Sequence, residues 1–216
     1  MSVAVAEREA LLGAVERALR LGKKRRFKQS VDLIVVLKDV DPKSPEGRLR
    51  EIVFLPHRPR KEPRICVVAE GDMAIKAREL GVPVYGRSDL QEMRGNRKLA
   101  KKVAQQCDWV LIRVDLMGLA GGVLGPALGP RGKAPTPVPP NADIAQLVER
   151  YKSAVWVRTR NQPQVMCRVG TEDMSPEEIA DNIESVLNVI ASKLGRQKIG
   201  KVLVKKTMGI PVQVPL

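Results

Sequence analysis

Apolar residues recur along this chain at two periods, and the changes of period divide it. Leu11, Val15, Ala18 and Leu19 fall on one face of a helix that Ser2 would cap and Gly22 would stop. VDLIVVL (31–37) then reads as a strand, a turn through Asp41, Pro42 and Gly47 follows, and REIVFLP (50–56) reads as a second strand. From residue 60 the pattern becomes strand RICVVAE, helix DMAIKAREL, short strand VPVYG, helix DLQEMRGNRKLAKKVAQQ and strand DWVLIRV. The stretch GGVLGPALGPRGKAPTPVPP (121–140) shows neither period, and ADIAQLVERYK closes the block as a helix. Strands alternating with helices imply βαβ units and a parallel sheet.

After residue 152 the alternation of strands returns, in SAVWVRTR and PQVMCRVG. Ser175, Pro176 and Glu178 form a capping box with proline at the first helical position. The helix they start aligns Ile179, Ile183, Val186, Leu187, Ile190 and Leu194, and Gly195 ends it before a last strand, KVLVKK, and the tail TMGIPVQVPL. Each end of the chain is thus half of an α+β unit. Residues 1–59 and 154–216 are expected to join as one discontinuous α+β domain, with 60–153 inserted as an α/β domain and two hinge strands between them.

Charge adds a partner to this outline. Lys and Arg number 38 against 24 acids, a net +14, and the surplus persists in each of residues 1–59, 60–153 and 154–216. A basic excess spread that evenly suits a polyanion, whereas a merely well-solvated, heat-adapted surface would balance its signs. Cys66, Cys107 and Cys167 are odd in number and lie in apolar runs, so they read as reduced core thiols of a cytosolic protein, without disulfide or metal spacing. The amino-terminal stretch lacks the apolar core of a signal peptide, and nothing approaches a membrane span.

The glycine-rich stretch invites a phosphate-loop reading that its spacing defeats. Gly132-Lys133 is followed by Ala134 instead of serine or threonine, Ala127 stands where the first glycine is required, and four prolines follow where a helix should open. His57, in LPHRPR, has no nucleophile motif nearby and reads as a turn residue; Asp39 and Asp41 belong to a turn. Asp115 ends a strand at the ligand-binding edge of a parallel sheet, but no glycine fingerprint follows the first strand. The βαβ pattern leaves a nucleotide-dependent enzyme centred on the insertion as the competing reading; otherwise no cofactor or metal is expected.

Cations cluster at residues 23–28, 58–64, 94–102, 158–168 and 196–206. The cluster at 94–102 has helical spacing and fits a solvated face as well as an RNA contact. Phe27, framed by Arg26 and Lys28 before Ser30, has two readings: packing against a sugar or base, or plugging the core at the helix–strand junction. In KKTMG (205–209), the pair Lys205 and Lys206 would contact phosphate, Thr207 a ribose hydroxyl and Met208 an apolar surface, with Gly209 allowing close approach; the same residues also read as a plain strand end turning at glycine.

LGPRGKAPTPV (128–138) resembles the loop signature of the ribosomal protein L-one family, the large-subunit stalk proteins beside the tRNA exit site. FKQSVDLIVVLKDVDPK, VGTEDMSPEEIADNI and the terminal TMG resemble its other signatures in the same order, over essentially the whole chain, with lengths like the archaeal branch. The resemblance implies a discontinuous α+β RNA-binding domain with an inserted Rossmann-like domain that binds no nucleotide. It implies a stalk segment of large-subunit rRNA as partner, a part in releasing deacylated exit-site tRNA, and repression of translation by binding the protein's own mRNA. The protein would then be cytoplasmic, on the ribosome, and a monomer when free of RNA. The RNA-contact positions it carries over are Phe27, Ser30, Thr207, Met208 and Gly209, with Arg158 and Arg160 in the segment that completes the surface. The chain departs from the pattern at some positions: Ile210 intervenes before Pro211, where the family commonly has proline directly after TMG, Arg160 stands where bacterial members often carry an acid, and Lys133 and Ala134 vary from the bacterial loop.

Overall fold

The computed structural model describes residues 6–216, so Ser2 and its cap lie outside the described residues. The chain divides into two compact units: one is Pro63–Lys152, and the other runs to Glu62 and resumes at Ser153.

In the discontinuous unit, helix α1 (Arg8–Arg20) leads to strand β1 (Ser30–Leu37) and strand β2 (Arg50–Phe54). After the insertion come β7 (Ala154–Arg158), β8 (Gln164–Thr171), helix α7 (Pro176–Leu194), β9 (Ile199–Lys206) and β10 (Val212–Val214). The main sheet has the order β10-β9-β1-β8 with every neighbour antiparallel, while β2 and β7 form a separate two-stranded ladder. Alternation decides the layers: Val31, Leu33, Val35 and Leu37 point into a core shared with Leu11, Val15, Ile179, Ile183 and Val186 of the two helices. Ser30, Asp32, Ile34 and Val36 are left on the opposite face. The capping box starts α7 as its sequence requires, Ser175 Oγ accepting from Glu178 N–H at 3.2 Å and Glu178 Oε2 from Ser175 N–H at 3.1 Å. His57 is an anchor to that helix more than a turn: its N–H donates to Asn182 Oδ1 at 2.9 Å and its ring Nε2 lies 2.8 Å from Asp181.

The second unit holds a parallel sheet of order β4-β3-β5-β6, formed by β3 (Ile65–Val68), β4 (Val84–Tyr85), β5 (Trp109–Arg113) and β6 (Pro135–Val138). One face, through Cys66, Val68, Val110 and Ile112, packs on α3 (Arg87–Gly95), α4 (Arg97–Gln106) and α5 (Met117–Leu128). On the other side are α2 (Asp72–Glu79) and α6 (Ile144–Tyr151), whose Tyr151 ring meets Trp109 edge-on at 5.1 Å. A parallel sheet covered on both faces explains why its strands read as unbroken apolar runs.

The structure corrects three expectations in this unit. The 121–140 stretch is not an irregular connection: α5 takes up its first part and β6 its second. Neither was visible, because α5 is apolar or glycine on nearly every side, and because β6 is an edge strand, where Pro135 and Pro137 are tolerated. The single helix expected over 89–106 is two, parted at Asn96, whose Oδ1 caps α4 by accepting from Lys98 N–H at 3.1 Å. Cys66 and Cys107 are joined in a disulfide, their Cα atoms 5.6 Å apart. They stand 41 positions apart in sequence, and only the parallel pairing of Cys66 with Val110 brings the entry of β5 beside β3. Cys167 stays a free thiol, pushed up to about 12 by burial first and by the nearby Asp32 carboxylate second.

Candidate nucleic-acid interface

Antiparallel pairing puts the start of β1, the end of β9 and the end of β8 at one end of the main sheet: Ser30 faces Thr171, and Val31 faces Lys206. Residues 177 positions apart thereby meet. Thr207 donates both its N–H, at 2.9 Å, and its hydroxyl, at 3.2 Å, to the Ser30 carbonyl. The turn that follows closes with Gly209 N–H on the Lys206 carbonyl at 2.8 Å. Of the lysine pair expected to contact phosphate, Lys206 does not: it is buried, and its ammonium donates to the Leu19 carbonyl at 2.7 Å, tying the end of α1 to the same place. Gly22 lies there at φ +94°, and a β-carbon on it would come within 3.3 Å of Gly209 Cα. Two glycines let the two backbones touch.

The residue that organises this end is Gln29, which the sequence reading did not single out. The residue is 1% exposed. Its backbone N–H and its Nε2 donate to the Glu172 carboxylate at 3.0 and 3.2 Å, and its Oε1 accepts from Met208 N–H at 3.1 Å. Glu172 N–H returns a bond to the Gln29 carbonyl at 3.0 Å. Glutamine at a strand entry carries no periodic signal of its own. Lys206 did carry one, since alternation places it on the inward face.

Around this framework Phe27 and Met208 are 54% and 55% exposed. Phe27 is therefore not a core plug. Lys28 pairs with Asp173 at 2.7 Å, which holds the Asp173 carboxyl below its ordinary range. Arg26, Lys28, Thr207 and Met208 are all exposed at this end. The open face of the sheet continues from it: Asp32 lies between Lys205 and Arg168 in register, then Ile34 between Leu203 and Met166, then Val36 between Lys201 and Gln164. Burial raises the Asp32 carboxyl above its usual value, outweighing the lowering by Lys205 and Arg168.

Arg158 and Arg160 are not at this end. Arg158 closes β7 opposite Arg50, and both guanidiniums lie over the Trp156 ring, at 5.9 and 5.8 Å from its centroid. Trp156 and Arg158, with Arg160, Gln162, Gln164 and Met166, line an open cleft at the start of β8. That start is seven residues from Thr171, about 23 Å along a strand. Burial, then repulsion from Arg160 and Arg50, lowers the affinity of Arg158 for its proton. The exposed faces of Met166 and Arg168 lie between the two ends.

Arg131 and Lys133, the cations that drew the phosphate-loop comparison, do structural work. Arg131 Nη1 donates to Ala127 O at 2.8 Å, and Lys133 Nζ to the carbonyls of Ala104 and Cys107 at 3.0 and 2.6 Å, closing α4. Lys133→Met should cost about 1–3 kcal/mol through the loss of these charge-assisted bonds, seen as a lower denaturation midpoint with RNA binding unchanged. Among the described residues no group of three or more His, Cys, Asp or Glu is placed to hold a metal, and no helix is long and apolar enough to cross a membrane.

Residues 18–210 match the family model described as "Ribosomal protein L1p/L10e family". The "Large ribosomal subunit protein uL1" of Aeropyrum pernix is 63% identical over 202 residues, 94% of this chain and 93% of that protein. The proteins of the same description from Hyperthermus butylicus and Methanocaldococcus jannaschii are 60% and 45% identical, each alignment covering at least 96% of both chains.

Proposed function

The chain belongs to the ribosomal protein L1p/L10e family, and we propose that, as a structural constituent of the large ribosomal subunit, it binds a stalk segment of rRNA at the end of its antiparallel sheet. The family is not enzymatic, so the nucleotide-dependent enzyme falls away. The observation that carries the proposal is the convergence at that end of two exposed apolar side chains, Phe27 and Met208, with cations beside them and a hydroxyl of fixed orientation.

Each group has a role that follows from its setting. Phe27 and Met208 offer surfaces on which an unpaired base or a sugar packs. Thr207 spends its proton on Ser30 O, so its oxygen is left to accept, and a ribose 2′-OH is the donor that separates RNA from DNA. Arg26, Lys28 and Lys205 supply phosphate contacts. Arg158 and Arg160 join the same RNA only where it runs along the open sheet face toward the Trp156 cleft. A similar structure in the protein's own mRNA would fit the same surface, which makes repression of translation part of the proposal, as is contact with departing exit-site tRNA on the ribosome.

Thr207→Ala should weaken binding to the stalk RNA by about 1–3 kcal/mol, roughly five- to more than a hundredfold, at every salt concentration. Lys205→Ala should weaken it less and reduce the slope of log K against log salt by about 1. Titrations across a salt series check both. If the two variants behave alike, the sheet end is a plain electrostatic patch and not a recognition site.

A further inference from the structure

Helix α4 carries Arg97, Lys98, Lys101 and Lys102 within ten residues and no acid. At 3.6 residues per turn these four fall within an arc of about 140°, while Ala100, Val103 and Ala104 bury the other side. All four are exposed, as is Arg94 just before them, and among the described residues none of the five forms an ion pair.

The helix does not need these charges for itself. Its carbonyl end is already met by cations from elsewhere in the unit: Lys133 Nζ on Ala104 O and Cys107 O, and Arg64 Nη2 on Gln105 O at 3.0 Å. Arg97 and Lys98 stand instead at the first two helical positions, where the unbonded N–H groups already make the field positive and added cations are unfavourable. A bound anion would relieve that repulsion.

We propose that this face of α4 is a second RNA contact, which holds phosphate backbone without reading sequence. The RNA chemistry rests on the function proposed above, but the surface lies on the other unit. An acidic protein partner would need apolar or aromatic anchors, and none of the exposed large apolar side chains lies on α4. Phosphates need only the cations. Arg97 and Lys101, like Lys98 and Lys102, are one turn apart, about 6 Å, close to the axial spacing of every second phosphate on one strand.

The test compares two RNAs on the full chain: a short stalk stem that fills the sheet-end site, and the same stem extended by duplex of unrelated sequence. The wild type should bind the extended RNA several-fold more tightly and with a steeper salt dependence. The R97Q/K98Q/K101Q/K102Q variant should lose that gain, with a slope lower by about 2–4, and bind the short stem as before. K101Q/K102Q, which leaves the first turn untouched, should lose about half of it, and unchanged thermal midpoints would show both variants folded. Retention of the wild-type gain and slope by either folded variant overturns the proposal, as does a gain that depends on the sequence of the extension. Thr207→Ala separates the two readings: it weakens both RNAs if the sheet end holds the stem, and neither if that site is wrong, whatever α4 does.

Discussion

Gln29→Leu should destabilise the discontinuous unit by about 2–4 kcal/mol and reduce stalk-RNA binding at least tenfold, although the residue touches no RNA. Leucine fills a similar volume but offers no polar atoms. The Glu172 carboxylate then loses its Nε2 donor and Met208 N–H loses its acceptor, at a position only 1% exposed. Bonds to a charged acceptor contribute more than neutral ones, and an orphaned buried group carries the full desolvation cost. The turn holding Met208 and Gly209 would lose its tie to Gln29 and keep the two bonds of Thr207 to the Ser30 carbonyl. Phe27→Ala is the counterpart: its side chain is exposed, so the denaturation midpoint should hold while affinity falls. Denaturant unfolding and RNA titration of both variants check the pair. Equal stability of Gln29→Leu and wild type would show that the buried network does not organise this end.

Removing the disulfide should act on the other unit alone. A crosslink closing 41 positions stabilises, in the chain-entropy model, by about 4 kcal/mol. Cys66→Ala/Cys107→Ala, or reductant on the native chain, should therefore lower the unfolding transition of residues 63–152 and leave that of the discontinuous unit in place. Calorimetry with and without reductant measures this, with amide exchange assigning each transition to its unit. Short-stem RNA binding should be unaffected, because every group assigned to the sheet end lies outside 63–152. A transition indifferent to reductant would contradict the role given to the bridge.

How much of this was legible in the sequence varied with the range of the cause. Elements with an amphipathic period, such as α1 with Leu11, Val15 and Ala18, or with a local stop and start, such as the Ser175 capping box, could be read directly, because the signal and the structure share the same few residues. β6 could not: what makes Pro135–Val138 a strand is β5 beside it, and the strand's own prolines argue against it. The cysteines misled for the same reason, since the nearness of Cys66 and Cys107 is a property of strand pairing.

At the sheet end the exposed residues were named by composition and motif, and the buried ones that position them were not. Phe27 and the 207–209 turn stand out in a sequence; Gln29 becomes meaningful only when Glu172 and Met208 are placed around it. Arg158 and Arg160 are the reverse case: the family resemblance named them with the sheet-end residues, and the register of β8 sets them about seven positions from its Thr171 end.

The central claim is that the end of the antiparallel sheet holds rRNA. Ultraviolet crosslinking of the full chain to the stalk segment of large-subunit rRNA, with the modified peptides identified, tests it most directly. The account predicts the strongest crosslinks at Phe27 and within Thr207–Met208–Gly209, and their loss when an unlabelled stalk stem competes. Crosslinks confined to residues 63–152, with none at Phe27 or Met208, would contradict it.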